Sequence, residues 1–271
     1  MNSPRKIKML TPAFSVLLFL IAGCSQKTNE RWTAPDNPNP QTVLDEAEQD
    51  ATAKRYENAL AKHVWFHENA LKIQPSLYGV RLSFALSAWV ELGKSYPPAL
   101  EKLRSTRDET SKTFREGKAS RDLFHDFESI NDRLGETAKT KELFLWLDTH
   151  NPNAAKLVFD IAEPALVKAK EYRLCGKYLD PNGSFRRMRD SYRYDKQRIS
   201  KNPKIGKDML REYAENSFSH KTTTLVALLT VNGRKDEAAL IAAEAASEWD
   251  DPMFKTRLEK AKNGEVPVPW P

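Results

Sequence analysis

His63 and His67 are four residues apart, with Glu68 beside the second. On a helix this spacing places both imidazoles on one face, as a divalent metal site requires. A third ligand must then arrive from elsewhere, and His125 or Asp126 is the candidate. The pair also reads as two polar side chains flanking a packed aromatic segment, because Val64, Trp65 and Phe66 lie between them. His125-Asp126 sits between Phe124 and Phe127, where a histidine serves packing as readily as acid–base chemistry. Cys175 lies among Tyr172, Leu174 and Tyr178 and reads as a buried structural thiol rather than a nucleophile.

Other chemistry is thinly represented. The histidine pair is not an HExxH motif, because the glutamate falls outside it. The chain carries no P-loop, no Gly-rich dinucleotide fingerprint, no GxSxG and no CxxC. Arg107-Asp108-Glu109-Thr110 reads as a capped helix end with local ion pairs. No cofactor is expected, and His63 and His67 are the metal candidates if a metal is bound.

The N-terminus carries a different signal. Arg5, Lys6 and Lys8 precede an apolar run from Met9 that ends in VLLFLIA at Ala22. This is the order of a secretory signal, and the run is short for a span of about 20 residues. The next residues, Ile21-Ala22-Gly23-Cys24, resemble the lipobox of bacterial lipoproteins. The resemblance implies cleavage before Cys24 and acylation of that cysteine, with Ser25 pointing to the outer membrane and its periplasmic face. Cys24 lipidation leaves Cys175 alone, so no intrachain disulfide is expected despite export.

Removing the signal lowers the formal charge from +6 to about +3, with 40 basic residues against 37 acidic. The excess is local. Residues 166–212 hold 14 Lys or Arg against 6 Asp or Glu. The densest part, 184–194 (SFRRMRDSYRY), interleaves aromatics with Arg186, Arg187, Arg189 and Arg193. An exported chain seldom meets nucleic acid, so anionic lipid, an anionic envelope polymer or an acidic protein are the expected partners. A solvated face paired with neighbouring acids is the alternative.

The body reads as helices. With 10 glycines and no Asn-Gly or Asp-Gly hairpin turn between alternating apolar runs, sheet signals are weak. Apolar positions recur at helical spacing, as in Phe124, Phe127, Ile130 and Leu134. Breakers fall at Pro75, Pro97-Pro98, Gly117, Gly135, Pro152, Pro164, Pro181-Asn182-Gly183, Pro203, Gly233 and Pro252. Trp89, Leu92, Gly93 and Tyr96 match the first-helix pattern W-x2-L-G-x2-Y, and so resemble the tetratricopeptide repeat family. Three looser units fit around 59–75, Gly135 to Pro152 and Leu225 to Pro252. The resemblance implies an all-α array of helix–turn–helix pairs, right-handed, with about 10–12 helices. The chain is also similar to uncharacterised bacterial lipoproteins with helical bodies, which implies no particular activity.

The expected organisation is a signal peptide at 1–23, a lipidated flexible tether at 24–40, an all-α domain at 41–265 and an extended Pro-rich tail at 266–271. The expected function is a non-enzymatic scaffold or adaptor in the cell envelope, bound to a protein partner and of open oligomeric state. Two alternatives stand beside it: a binder of anionic polymer or lipid through the basic segment, and a metal-dependent hydrolase using His63 and His67.

Overall fold

The computed structural model describes residues 31–201 and 207–269. The Cys24 lipobox and most of the expected tether lie outside them, as do Trp270 and Pro271. Every regular element among the described residues is helical. In chain order they are α1 (Pro40–Thr52), α2 (Tyr56–Ile73), a 3-10 turn (Pro75–Leu77), α3 (Tyr78–Leu82) and α4 (Phe84–Ser95). Next come α5 (Pro97–Arg115), α6 (Arg121–Leu134), α7 (Ala138–His150), α8 (Pro152–Lys168) and α9 (Tyr172–Tyr178). The chain finishes with α10 (Pro181–Lys201), α11 (Lys207–Val231), α12 (Lys235–Glu248) and α13 (Pro252–Lys262).

The thirteen α-helices among the described residues exceed the expected 10–12, because short pieces such as α3 and α9 stand as separate helices. Proline marks the starts. Pro97, Pro152 and Pro252 open α5, α8 and α13, where a missing N–H costs nothing. Gly117, Gly135 and Gly233 follow α5, α6 and α11 with positive φ, the conformation that closes a helix. Pro164 departs from this rule: it sits inside α8 and does not break it. The flanking Ala162, Leu166 and Val167 are buried in the core, and that burial outweighs one lost backbone hydrogen bond.

Helices adjacent in sequence pack on one another along most of the chain. The first block runs from α1 to α9. Its core holds Trp89, Leu86, Leu103 and Ile130 in one cluster and Phe114, Phe124, Phe144 and Val158 in another. Helix α6 serves both, with Phe124 and Phe127 in one and Ile130 in the other. Arg107, Asn131 and Thr140 are buried between α5, α6 and α7. Arg107 donates to Asn131 Oδ1 at 3.3 Å and pairs with Glu136, while Asn131 donates to Thr140 Oγ1 at 3.1 Å.

The second block, α10 to α13, surrounds Phe185, Tyr192, Phe218, Leu229 and Phe254. The two blocks meet where α9 packs on α11. Leu228 of α11 also joins the core cluster of the first block, beside Leu166 and Val167 of α8. Half-buried Val266 packs against the cores of both blocks.

Before α1 the chain is not free. Trp32 N–H donates to Asn58 Oδ1 at 2.9 Å, and its ring meets Trp65 edge-on at 6.2 Å. Trp32 lies within the expected 24–40 segment and is docked against α2. No helix among the described residues is long and apolar enough to cross a membrane.

Candidate functional site

The residues singled out by spacing end in three different places. His63 and His67 project from one face of α2 into the core, 2% and 8% exposed, and both rings pack on Trp89. Arg81 of α3 lies beside them, buried, and donates from Nε to the His67 carbonyl at 2.7 Å. Its fork grips the Asp126 carboxylate through both terminal nitrogens, and Nη2 lies 3.3 Å from His67 Nε2. A guanidinium can only donate, so His67 Nε2 must accept and its proton sits on Nδ1. That Nδ1 is buried without a partner, as is His63 Nδ1. Burial pushes both imidazoles down to about 4, and for His67 the Arg81 charge adds to it.

This arrangement opposes metal binding. The His67 lone pair faces a cation, and Asp126 is spent on the same cation. His125 goes elsewhere, 3.0 Å from the Tyr78 hydroxyl. Among the described residues no three His, Cys, Asp or Glu side chains gather as a metal site. Trp89, Leu92 and Gly93 are buried on α4, and Tyr96 follows its last turn, stacked on Tyr56 at 5.7 Å. A Cβ on Gly93 would lie 2.3 Å from Leu100 Cγ, so α5 approaches α4 closely there.

The four arginines of α10 do not form one open cationic face. Arg193 grips Glu248 of α12 with Nε at 2.9 and 3.0 Å and Nη2 at 2.5 Å. Arg189 lies over the Phe185 ring and 4.0 Å from Glu244. Arg187 donates to Ser184 Oγ at 3.0 Å and is 3.9 Å from Asp180. Arg186 is exposed and has no ion pair among the described residues. Neighbouring acids thus compensate three of the four, the arrangement expected of a solvated face.

Among the described residues, the seam between the blocks is concave. A cleft of about 690 Å³ opens between α8 and the α10–α11 hairpin. Its size is that of a site for a short peptide or a sizeable small molecule. Phe159, Tyr178, Tyr192 and Phe218 supply aromatic surface. Lys156, Arg187 and Lys221 face it with Asp160, Glu163 and Asp195, so both charge signs are present. Arg121 of α6 reaches across the rim and holds Asp160 in a two-pronged pair. Burial and the neighbouring Asp160 raise the Glu163 carboxyl to about 7, against the pull of Lys221. Glu163 can therefore take up or release a proton near neutrality.

Beyond Glu163 a side pocket of about 80 Å³ continues between Val167, His220, Lys221 and Thr224, with Pro269 of the tail at its edge. Thr224 is 5% exposed, and its hydroxyl has no hydrogen-bond partner. Cys175 is fully buried near this wall, and burial with the Glu163 charge pushes its thiol up to about 12. It stays protonated and unreactive in the folded chain.

Sequence patterning found one wall of the cleft and missed the rest. Arg187, Ser191 and Tyr192 belong to the basic stretch at 184–194, whereas Arg121, Glu163 and Lys221 come from three other helices spread over about a hundred positions and belong to no local motif. Another local hint is Leu157, a large apolar side chain next to Lys156 on α8, 48% exposed at the cleft. No family model matches the chain, and no curated protein and no solved structure is significantly similar to it.

Proposed function

We propose that this chain is a lipoprotein of the bacterial cell envelope, acylated at Cys24, whose helical body binds a segment of a protein partner in the seam cleft. The anchor would place it on the outer membrane, facing the periplasm. The reading includes no catalysed reaction. It treats the helix pairs as a degenerate, right-handed tetratricopeptide-like array that presents the cleft on rigid walls.

One observation carries the reading: the 690 Å³ cleft carries aromatic surface and charges of both signs. A polypeptide offers the same mixture, with apolar side chains for the rings and charged ones for Lys221, Asp195 and Glu163. An anionic polymer is less well suited, because Asp160, Glu163 and Asp195 would repel it inside the cleft.

The test is site-directed photocrosslinking in intact cells. A crosslinker at Leu157 or Ser191 lines the cleft, whereas one at Met253, exposed on α13, does not. The expected result is one protein captured from both cleft positions, absent from Met253, and lost when Ser191→Trp fills the space. Capture that survives Ser191→Trp, or that is equal from Met253, refutes the reading. The intact mass of the purified chain decides separately whether Cys24 carries acyl groups.

A further inference from the structure

The basic stretch read from the sequence contains two populations of charge. Along α10 up to Arg193, three of the four arginines lie beside acids, as Arg193 does beside Glu248, and only Arg186 has no ion pair among the described residues. Toward the far end of the α10–α11 hairpin the pairing stops. Arg198 and Lys201 on α10 and Arg211 on α11 are exposed and have no ion pair among the described residues. Lys196, just before them, lies over the Tyr192 ring at 5.0 Å. Three acids, Asp195, Asp208 and Glu212, share this end with Lys196, Arg198, Lys201 and Arg211.

Large apolar side chains are exposed at the same place. Met209 is 78% exposed, Tyr194 63% and Tyr213 57%. Helices α10 and α11 pack on one another, and these rings and the methionine lie toward the end of α10 and the start of α11, alongside the cations. A soluble surface does not need three such side chains together. Rings with polar tips, interleaved with Lys and Arg, are the composition of a segment that rests in a bilayer's headgroup region.

We propose that this hairpin end is a second membrane contact, seated on anionic phospholipid headgroups, with Met209, Tyr194 and Tyr213 dipping toward the acyl boundary and Arg198, Lys201 and Arg211 meeting the phosphates. The inference rests on the lipid anchor proposed above. Trp32 is docked on Trp65, so only seven residues lie between Cys24 and the folded body, eight Cα steps with a reach of at most about 28 Å. An anchor that short makes the hairpin contact intramolecular, and a weak patch is then sufficient. The charge excess alone would hold a free domain poorly.

The experiment uses the full lipid-bearing chain in vesicles of phosphatidylcholine, with or without phosphatidylglycerol. An environment-sensitive fluorophore is placed through Met209→Cys, with Met253→Cys as the control; Cys175 is buried and does not take the label. The expected result is a blue shift at 209, with quenching by nitroxide lipids, in phosphatidylglycerol vesicles and none at 253. Adding Arg198→Ala and Arg211→Ala should lower that anionic-lipid preference roughly tenfold.

No shift at 209, or equal shifts at 209 and 253, overturns the proposal. So does binding of a soluble anionic polymer that protects 209 when no bilayer is present. An intact mass without acyl chains overturns the anchor and not the contact. The label at 209 is then read on vesicles added to the soluble chain, with the same two outcomes.

Discussion

Gly176 of α9 faces Asn232 at the end of α11 so closely that a Cβ on the glycine would lie 2.2 Å from Asn232 Oδ1. The asparagine cannot swing away freely. Its Nδ2 donates to the Tyr172 carbonyl at 2.8 Å, across the seam, and to Leu228 O at 2.8 Å. This contact joins the two blocks beside the cleft. Gly176→Ala gains up to about 1 kcal/mol of helix propensity but overpacks a held side chain, which costs about 1–3 kcal/mol. Net destabilisation of about 1–2 kcal/mol is expected in urea unfolding. Asn232→Ala alone should cost about 1 kcal/mol through the lost hydrogen bonds. In the double variant the alanine at 176 should be neutral or stabilising, because the clash has been removed.

The core histidines make the fold acid-labile. His63 and His67 fall to about 4 in the folded chain against 6.5 when exposed, so the unfolded chain binds more protons between those values. Their contribution is complete above pH 6.5, falls as the pH drops toward 4 and is flat below. Each can cost up to roughly 3 kcal/mol across that window. Urea midpoints at pH 7 and pH 5 should differ accordingly. His63→Phe, which keeps a ring against Trp89, should shrink the difference; an unchanged difference would show that His63 does not titrate with unfolding.

Glu163 works in the opposite direction. Its folded carboxyl titrates near 7, above the 4.5 of an exposed glutamate, so its contribution is complete below pH 4.5 and is lost as the pH rises through 7. Glu163→Gln should therefore stabilise the chain at pH 8 and change little at pH 4.5. The side chain keeps some access to water from the cleft, which limits the gain to about 1–2 kcal/mol. Thermal unfolding at the two pH values checks the sign.

Cys175 should label only through unfolding. With its thiol buried and raised to about 12, a disulfide reagent at pH 8 should react orders of magnitude more slowly than with a free cysteine. Denaturant should restore the ordinary rate. Fast labelling of the native chain would mean that the wall of the seam opens.

Removing Arg81 should be the most damaging single change around the histidines. Arg81→Ala leaves Asp126 without its two-pronged partner and the His67 carbonyl without its donor. Loss of a buried pair's partner costs about 3–5 kcal/mol. Arg81→Lys should recover little, since an ammonium cannot bridge carboxylate and carbonyl in the same plane. Chemical denaturation of both variants measures this.

Helix class and most helix ends were determined by the sequence alone, because their causes are local. Pro97, Pro152 and Pro252 start helices by lacking an N–H, and Gly117, Gly135 and Gly233 end them by tolerating positive φ. Burial of Trp89, Phe124, Phe127 and Ile130 likewise follows from helical spacing. What each polar group touches was decided only in three dimensions. Pro164 is carried inside α8 by core packing that no local rule contains. Arg193 finds Glu248 55 positions away, so part of a conspicuous basic run is compensated by acids that the local sequence does not show. Arg81 occupies the space a metal would need beside His67, and the cleft assembles from helices that have no motif in common. Local propensity fixes φ and ψ one turn at a time, whereas charge pairing and concavity depend on which turns the core brings together.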